Sequence, residues 1–287
     1  MDKLLHRITR SVFILHLLFC AAWVHAAGYT ASITTAYPKL TISNTVAQQV
    51  VWAAGNGSGF PSATMACDDC ISQVMPIGFN FTFGGVSYPN WSMQSNGVIF
   101  FQGAGATGAG TTGIGTASGS STYTPNGVPT SNFGTLGQPA LMPFWADLIH
   151  NASSLTFPQS ASASLYQYQV LTVSGTQVLV VQLSNVGYYS APSSPVNMQI
   201  QIWATGQIVY AYGAMAAITS GNTGLTVGLQ YPGGGCNYLA NKLSTSLSNQ
   251  SYLFTWDTTV STCNPLPTVN HYEFRESGTA VPLSRNS

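Results

Sequence analysis

The sequence predicts an all-β chain, an antiparallel β-sandwich with one long Gly/Ala/Ser/Thr-rich loop, and three observations lead there. Large apolar side chains recur at every second position over short runs, which places them on one face of a strand. Gly-containing turn signals separate these runs, and Gln, Asn, Thr and Ser fill the alternate positions. Beyond the first 26 residues, no window of about 11 residues carries a convincing helical period.

Residues 1–26 read as an export signal. Lys3, Arg7 and Arg10 form a positive start, and Val12 to Ala22 form an apolar stretch broken only by His16. Val24-His25-Ala26 then places small residues for cleavage before Ala27. The apolar stretch is shorter than the ~20 residues a spanning helix needs, so no transmembrane anchor is expected in the mature chain. Phe19 occupies the place before Cys20 where a lipidation motif wants a small residue. The expected location is secreted or cell-surface.

The remaining elements follow in order. Residues 27–66 form an N-terminal strand and loop segment, with an alternating stretch from Tyr29 to Tyr37, and residues 67–263 form the sandwich. Ile77, Phe79, Phe81 and Phe83 alternate with Gly78, Asn80 and Thr82, and Gly84-Gly85 ends that strand. Val98-Ile99-Phe100-Phe101 follows the turn signal Ser95-Asn96-Gly97. Gly, Ala, Ser and Thr fill 23 of the 30 positions from 102 to 131, so that stretch reads as a loop between strands. No Lys-Ser/Thr follows it, which removes a phosphate cradle.

Two hairpins have predictable registers. In Leu165–Ser184 a Ser174-Gly175 turn pairs Val170 with Leu179 and Tyr168 with Val181. In Val196–Tyr212 the three-residue loop Ala204-Thr205-Gly206 pairs Ile202 with Ile208, Ile200 with Tyr210, and Met198 with Tyr212. A two-residue loop would set Trp203 against Ile208 and mix the faces. Gly206 is therefore expected at the left-handed position of a bulged turn. Leu225–Tyr231 and Ser251–Trp256 add strands, and residues 264–287 are a C-terminal tail.

Of the 287 residues only 5% are charged, while 45% are hydrophobic. Cleavage removes Asp2, Lys3, Arg7 and Arg10, so six acids face four bases and the mature chain carries about −2. Nucleic-acid binding needs a basic stripe, which is missing, and electrostatic steering has little to work with.

Four cysteines remain, Cys67, Cys70, Cys236 and Cys263, and oxidised pairs are the default in an exported chain. They allow three connectivities; Cys67–Cys70 with Cys236–Cys263 is the preferred one. A zinc site is the alternative, but only Cys67-Asp68-Asp69-Cys70 has ligand spacing. No metal or cofactor is expected.

Asp147 and His150 are an acid and a base close in sequence within the sandwich segment. A reactive reading joins them with Asp68 or Asp69 as metal ligands or an acid/base pair. The structural reading has Asp147 accepting backbone N–H bonds where a strand leaves the core, and it is preferred. No G-x-S-x-G motif or carboxylate pair stands out, so no catalytic residue and no enzyme are expected. Trp203 shares the outward face of its hairpin with Gln199 and Gln201, where a ring could stack on a sugar or anchor a protein partner; a neighbouring loop that covers the ring is the preferred reading. Trp91, Trp145 and Trp256 are expected in the core. Asn-x-Ser/Thr sites stand at Asn56, Asn80, Asn90, Asn151 and Asn249, and they bear on the surface only in a eukaryotic host.

Three blocks in series carry a resemblance: Ile77 to Tyr88, Ser95-Asn96-Gly97 to Phe101, and Met142-Pro143-Phe144-Trp145-Ala146-Asp147-Leu148. Val178–Asn185, Gln199 to Ile202, Gly206 to Gly213 and Thr226 to Gln230 continue it in order, over roughly residues 67–257. The combination resembles the nidogen-like extracellular β domain, and more closely the module near the N-terminus of bacterial MSHA-type (mannose-sensitive haemagglutinin) pilus biogenesis proteins. That resemblance implies a secreted, non-enzymatic surface module tied to type IV pili and adhesion, with pilus or other surface proteins, or glycans, as partners. It carries over no catalytic residue. Asn96, Gly97, Phe144, Trp145 and Asp147 are its structural motif. Ala146 stands where the family pattern usually has a second acid, which weakens a metal role there. His271-Tyr272-Glu273-Phe274 and Ser277 to Val281 look like the start of a further β module, so the chain reads as a short relative of longer proteins. A free secreted carbohydrate-binding module and a fibre subunit completed by strand exchange, with Tyr29–Tyr37 as donor, are the alternatives.

Overall fold

A computed structural model describes residues 27–34, 38–43, 45–54, 67–106, 139–150, 164–189, 191–215, 225–231, 234–239 and 247–258. Its strands are β1 (Gly28–Thr34), β2 (Gln48–Gln49), β3 (Trp52–Ala54), β4 (Cys67–Asp68), β5 (Ile71–Ser72) and β6 (Met75–Phe83). β7 (Val86–Gln94), β8 (Val98–Gln102), β9 (Ala140–Trp145), β10 (Leu148–His150), β11 (Leu165–Val173) and β12 (Thr176–Tyr188) follow. The last are β13 (Ala191–Trp203), β14 (Ile208–Tyr212), β15 (Thr226–Tyr231), β16 (Gly234–Leu239) and β17 (Ser251–Asp257). The expected export signal, Cys263, His271, the tail, Asn56, Asn151 and the loop from residue 107 on lie outside the described residues, as do the side chains of Cys67, Asp68, His150 and Cys236.

The strands make two antiparallel sheets, as a β-sandwich requires. The first runs β1-β17-β14-β13-β12-β10-β4, with β11 beside β10 on the same flank of β12 and β2 outside β11. The second runs β16-β15-β9-β8-β7-β5-β3, with β6 also on β7. The segment 27–66, expected as one strand and a loop, contributes β1 and β2 to the first sheet and β3 to the second.

Period-2 patterning builds the core between the sheets. Leu179, Val181 and Leu183 of β12, Met198, Ile200 and Ile202 of β13, and Ile208, Tyr210 and Tyr212 of β14 face Trp91, Met93, Ile99, Phe101, Leu141 and Phe144. Each such side chain, fully buried, contributes about 1.5–3 kcal/mol. The β13–β14 register pairs Ile202 with Ile208 and Met198 with Tyr212, and Gly206 sits at φ +90°. The β11–β12 register pairs Val170 with Leu179 across a turn whose Ser174 and Gly175 both have positive φ, the two-residue geometry that matches strand twist. In β6, Ile77, Phe81 and Phe83 are buried while Phe79 is only partly so, because the register with β7 shifts between Pro76 and Phe81, around Gly78 at φ +92°. Trp91 and Trp145 are fully buried; Trp256 is only partly buried, packed against the core from β17.

The second sheet is buried on its other face too. Val98, Phe100, Ala140, Met142 and Trp145 form a separate apolar cluster there, all fully buried. The near-continuous apolar runs of β8 and β9 are the sequence mark of strands covered on both sides.

Candidate functional site

Gln199 and Gln201 alternate with Met198, Ile200 and Ile202 on β13, so they project from the outer face of the first sheet. They do not meet solvent there: Gln199 is 0% exposed and Gln201 2%. The chain's own residues 38–43 cross this face in an extended path. Gln199 accepts the Leu40 N–H at Oε1 (2.9 Å) and donates from Nε2 to the Leu40 carbonyl (2.7 Å) and to Gln182 Oε1 (2.9 Å). Gln201 donates to the Pro38 carbonyl (2.7 Å), and Gln169 on β11 accepts the Ser43 N–H (2.8 Å). Trp203 is half-buried, donates Nε1–H to Gln201 Oε1 (3.3 Å), and packs against Ile42, Val178 and Val180. These carboxamides are therefore satisfied by backbone, as buried amides must be. A ligand reaching Gln199 and Gln201 would first have to displace residues 38–43. The alternation marks this face and a covering loop is the preferred expectation for it, but which segment covers it has no local mark, because Leu40 and Gln199 lie 159 positions apart.

The second expected constellation is a structural corner. Ser95-Asn96-Gly97 turns β7 into β8, with the Gly97 N–H donating to Gln94 O. Gly97 lies at φ +79°, and a Cβ there would overlap the Phe144 carbonyl oxygen. Only glycine fits both demands. Asn96 then bridges two connections: its Nδ2 donates to Asp69 Oδ1 (2.7 Å), and its Oδ1 accepts the Leu148 N–H (2.9 Å). Its carbonyl also accepts the Ala146 N–H (3.2 Å). Ser95 ties in Cys70, whose N–H reaches Ser95 Oγ at 2.9 Å.

Asp147 is buried between β9 and β10, and its backbone carbonyl accepts the Tyr189 N–H. Phe144 packs edge-on against Tyr188 in the core, whereas Trp145 points to the opposite face of the sheet. The register sets Cys67 opposite His150 and Asp68 opposite Ile149, so the acid- and base-bearing segments are neighbours in backbone. Among the described residues, no three His, Cys, Asp or Glu side chains gather closely enough to hold a metal ion. Cys70 is buried.

Three tyrosine hydroxyls cross the sandwich from the first sheet to carbonyls of the second. Tyr166 donates to Ser95 O (2.6 Å), Tyr210 to Gly228 O (2.9 Å), and Tyr212 to Pro143 O. Burial, then the neighbouring Tyr252 and Tyr210, push the Tyr212 phenol well above its usual range, and burial pushes Tyr252 up to about 12. These groups stay protonated and serve as donors. None of the three was singled out for this role from the sequence, because alternation marks an inward tyrosine without revealing what its hydroxyl meets.

A family model described as NIDO related matches residues 44–274, which takes in both sheets except β1. Searches of curated proteins and of solved structures find no match. No helix among the described residues is long and apolar enough to cross a membrane.

Proposed function

The chain belongs to the NIDO-related family, and from that membership we propose that it is an exported, non-enzymatic surface protein of adhesion that works in MSHA-type (type IV) pilus biogenesis. The observation that carries the reading is the family match over residues 44–274, which points to an extracellular, adhesion-type module. The serial blocks from Ile77 to Gln230, similar to those of MSHA-type pilus proteins, support the finer assignment. The leader-like segment 1–26 supports export, and β1 starts one residue beyond Ala27, the expected first residue of the mature chain.

The chemistry suits a protein partner met by shape. With 5% charged residues, contact with pilus or other surface proteins depends on neutral polar groups and apolar area. Deleting the gene should reduce attachment of the cells to surfaces, with growth unchanged and attachment restored by the intact chain. Added salt should alter the restored attachment little, since few charges are available to screen. Attachment equal to that of undeleted cells would contradict the reading.

A further inference from the structure

Residues 28–34, 38–43 and 45–49 together make an arm that grips the first sheet from outside. β1 pairs with β17 at one end of the sheet, residues 38–43 pass over β13 and reach Gln169 of β11, and β2 pairs with β11 on the far flank. We propose that this arm is exchangeable between copies: in a self-associated form, residues 28–34 of one chain lie on β17 and residues 38–43 on the glutamine row of a second chain. The inference rests on the arm's own contacts and does not depend on the pilus assignment.

Four features lead there. The hydrogen bonds that Gln169, Gln199 and Gln201 make to the arm go to backbone groups of Pro38, Leu40 and Ser43, so the row reads an extended main chain rather than particular side chains. The β1–β17 ladder, seven register pairs from Gly28↔Asp257 to Thr34↔Ser251, is likewise a main-chain grip. Its side-chain anchor is Tyr29, fully buried with its ring centroid 4.9 Å from Trp256, 5.5 Å from Phe83 and 5.7 Å from Tyr231. Second, β1 precedes the other strands among the described residues, so it lifts off without threading between them.

Third, a hinge stands where exchange requires one. The turn from Ser43 to Ala47 is closed by the Val46 and Ala47 N–H groups on Ser43 O, while Thr45 and Val46 are exposed, Val46 at 63%. Opening that turn breaks two backbone bonds whose groups water can satisfy. Fourth, Lys39 is the arm's one charge, and the three glutamines that receive the arm are neutral. No electrostatic difference separates a chain's own arm from an identical one. The arm in place and the arm exchanged make the same contacts, and they differ in linkage alone, the condition under which swapping is a low-cost route to association.

The test uses full mature chains carrying one substitution each. Ser32 and Leu253 are register partners across β1 and β17. Heavy-isotope S32C chains are incubated with unlabelled L253C chains, oxidised, and mapped by mass spectrometry. Exchange predicts a disulfide between positions 32 and 253 that joins one heavy and one light peptide. A V86C control, at an exposed position outside both β1 and β17, should give no such link. The proposal is overturned if the S32C/L253C double variant closes its own disulfide as a monomer while the mixed single variants stay unlinked. If the double variant does not close, native mass spectrometry of mixed heavy and light unsubstituted chains decides. Mixed dimers support exchange, and monomers alone at every concentration overturn it.

Discussion

Replacing Gly97 by alanine measures how closely the asparagine corner is built. The new Cβ would meet the Phe144 carbonyl oxygen, and φ +79° disfavours any side chain. The expected loss is about 2–4 kcal/mol in urea unfolding, from the left-handed backbone and the overlap together. Gly175 separates the two terms: its φ is +81°, with nothing within 4 Å of a Cβ, so Gly175→Ala should cost only about 1 kcal/mol. Equal losses at both sites would show that the Phe144 contact is unimportant. At this scale the sequence is partly legible. Ser95-Asn96-Gly97 announces a turn by composition, whereas the approach of Phe144 depends on two strands about fifty residues apart and leaves no local mark. Asp147 is legible as a buried carboxylate at a strand exit; the bridge from Asn96 to Asp69 is not, because it needs the β4–β10 pairing to bring residue 69 alongside.

At the scale of elements, hairpins were the readable part, since turn length and face alternation together admit one register. Both predicted registers appear, Val170 against Leu179 and Ile202 against Ile208. Strands of two or three residues such as β2, β4, β5 and β10 have no period to detect, and tertiary pairing alone defines them. The crossing arm falls in the same class. Its alternation suggested a strand, which β1 is, but the glutamines that hold residues 38–43 arrive from strands far along the chain. Gln199→Ala removes both carboxamide bonds to Leu40 and should cost about 1–3 kcal/mol. Hydrogen exchange at the Leu40 amide should speed up strongly, while the amides of β12 and β14 keep their protection relative to global unfolding. Unchanged exchange at Leu40 would mean that the glutamine row does not hold the arm.

For the whole molecule, fold class was legible from two periods, the alternation of side chains and the spacing of glycine turns. The two-sided burial of the second sheet was also visible, in retrospect, in the unbroken apolar runs Val98 to Phe101 and Ala140 to Met142. Ligand and partner were not legible, because function resides in a surface and a sandwich constrains mainly its interior. The low charge limits the choice to partners recognised by shape and neutral hydrogen bonds, and family membership directs attention to the cell exterior. The most direct measurement is to shear surface fibres from the native cells and blot each fraction for this chain. The account predicts that it leaves with the pili and that its N-terminus is Ala27. Recovery only in the free medium or the periplasm, with pili cleanly depleted of it, would contradict the account.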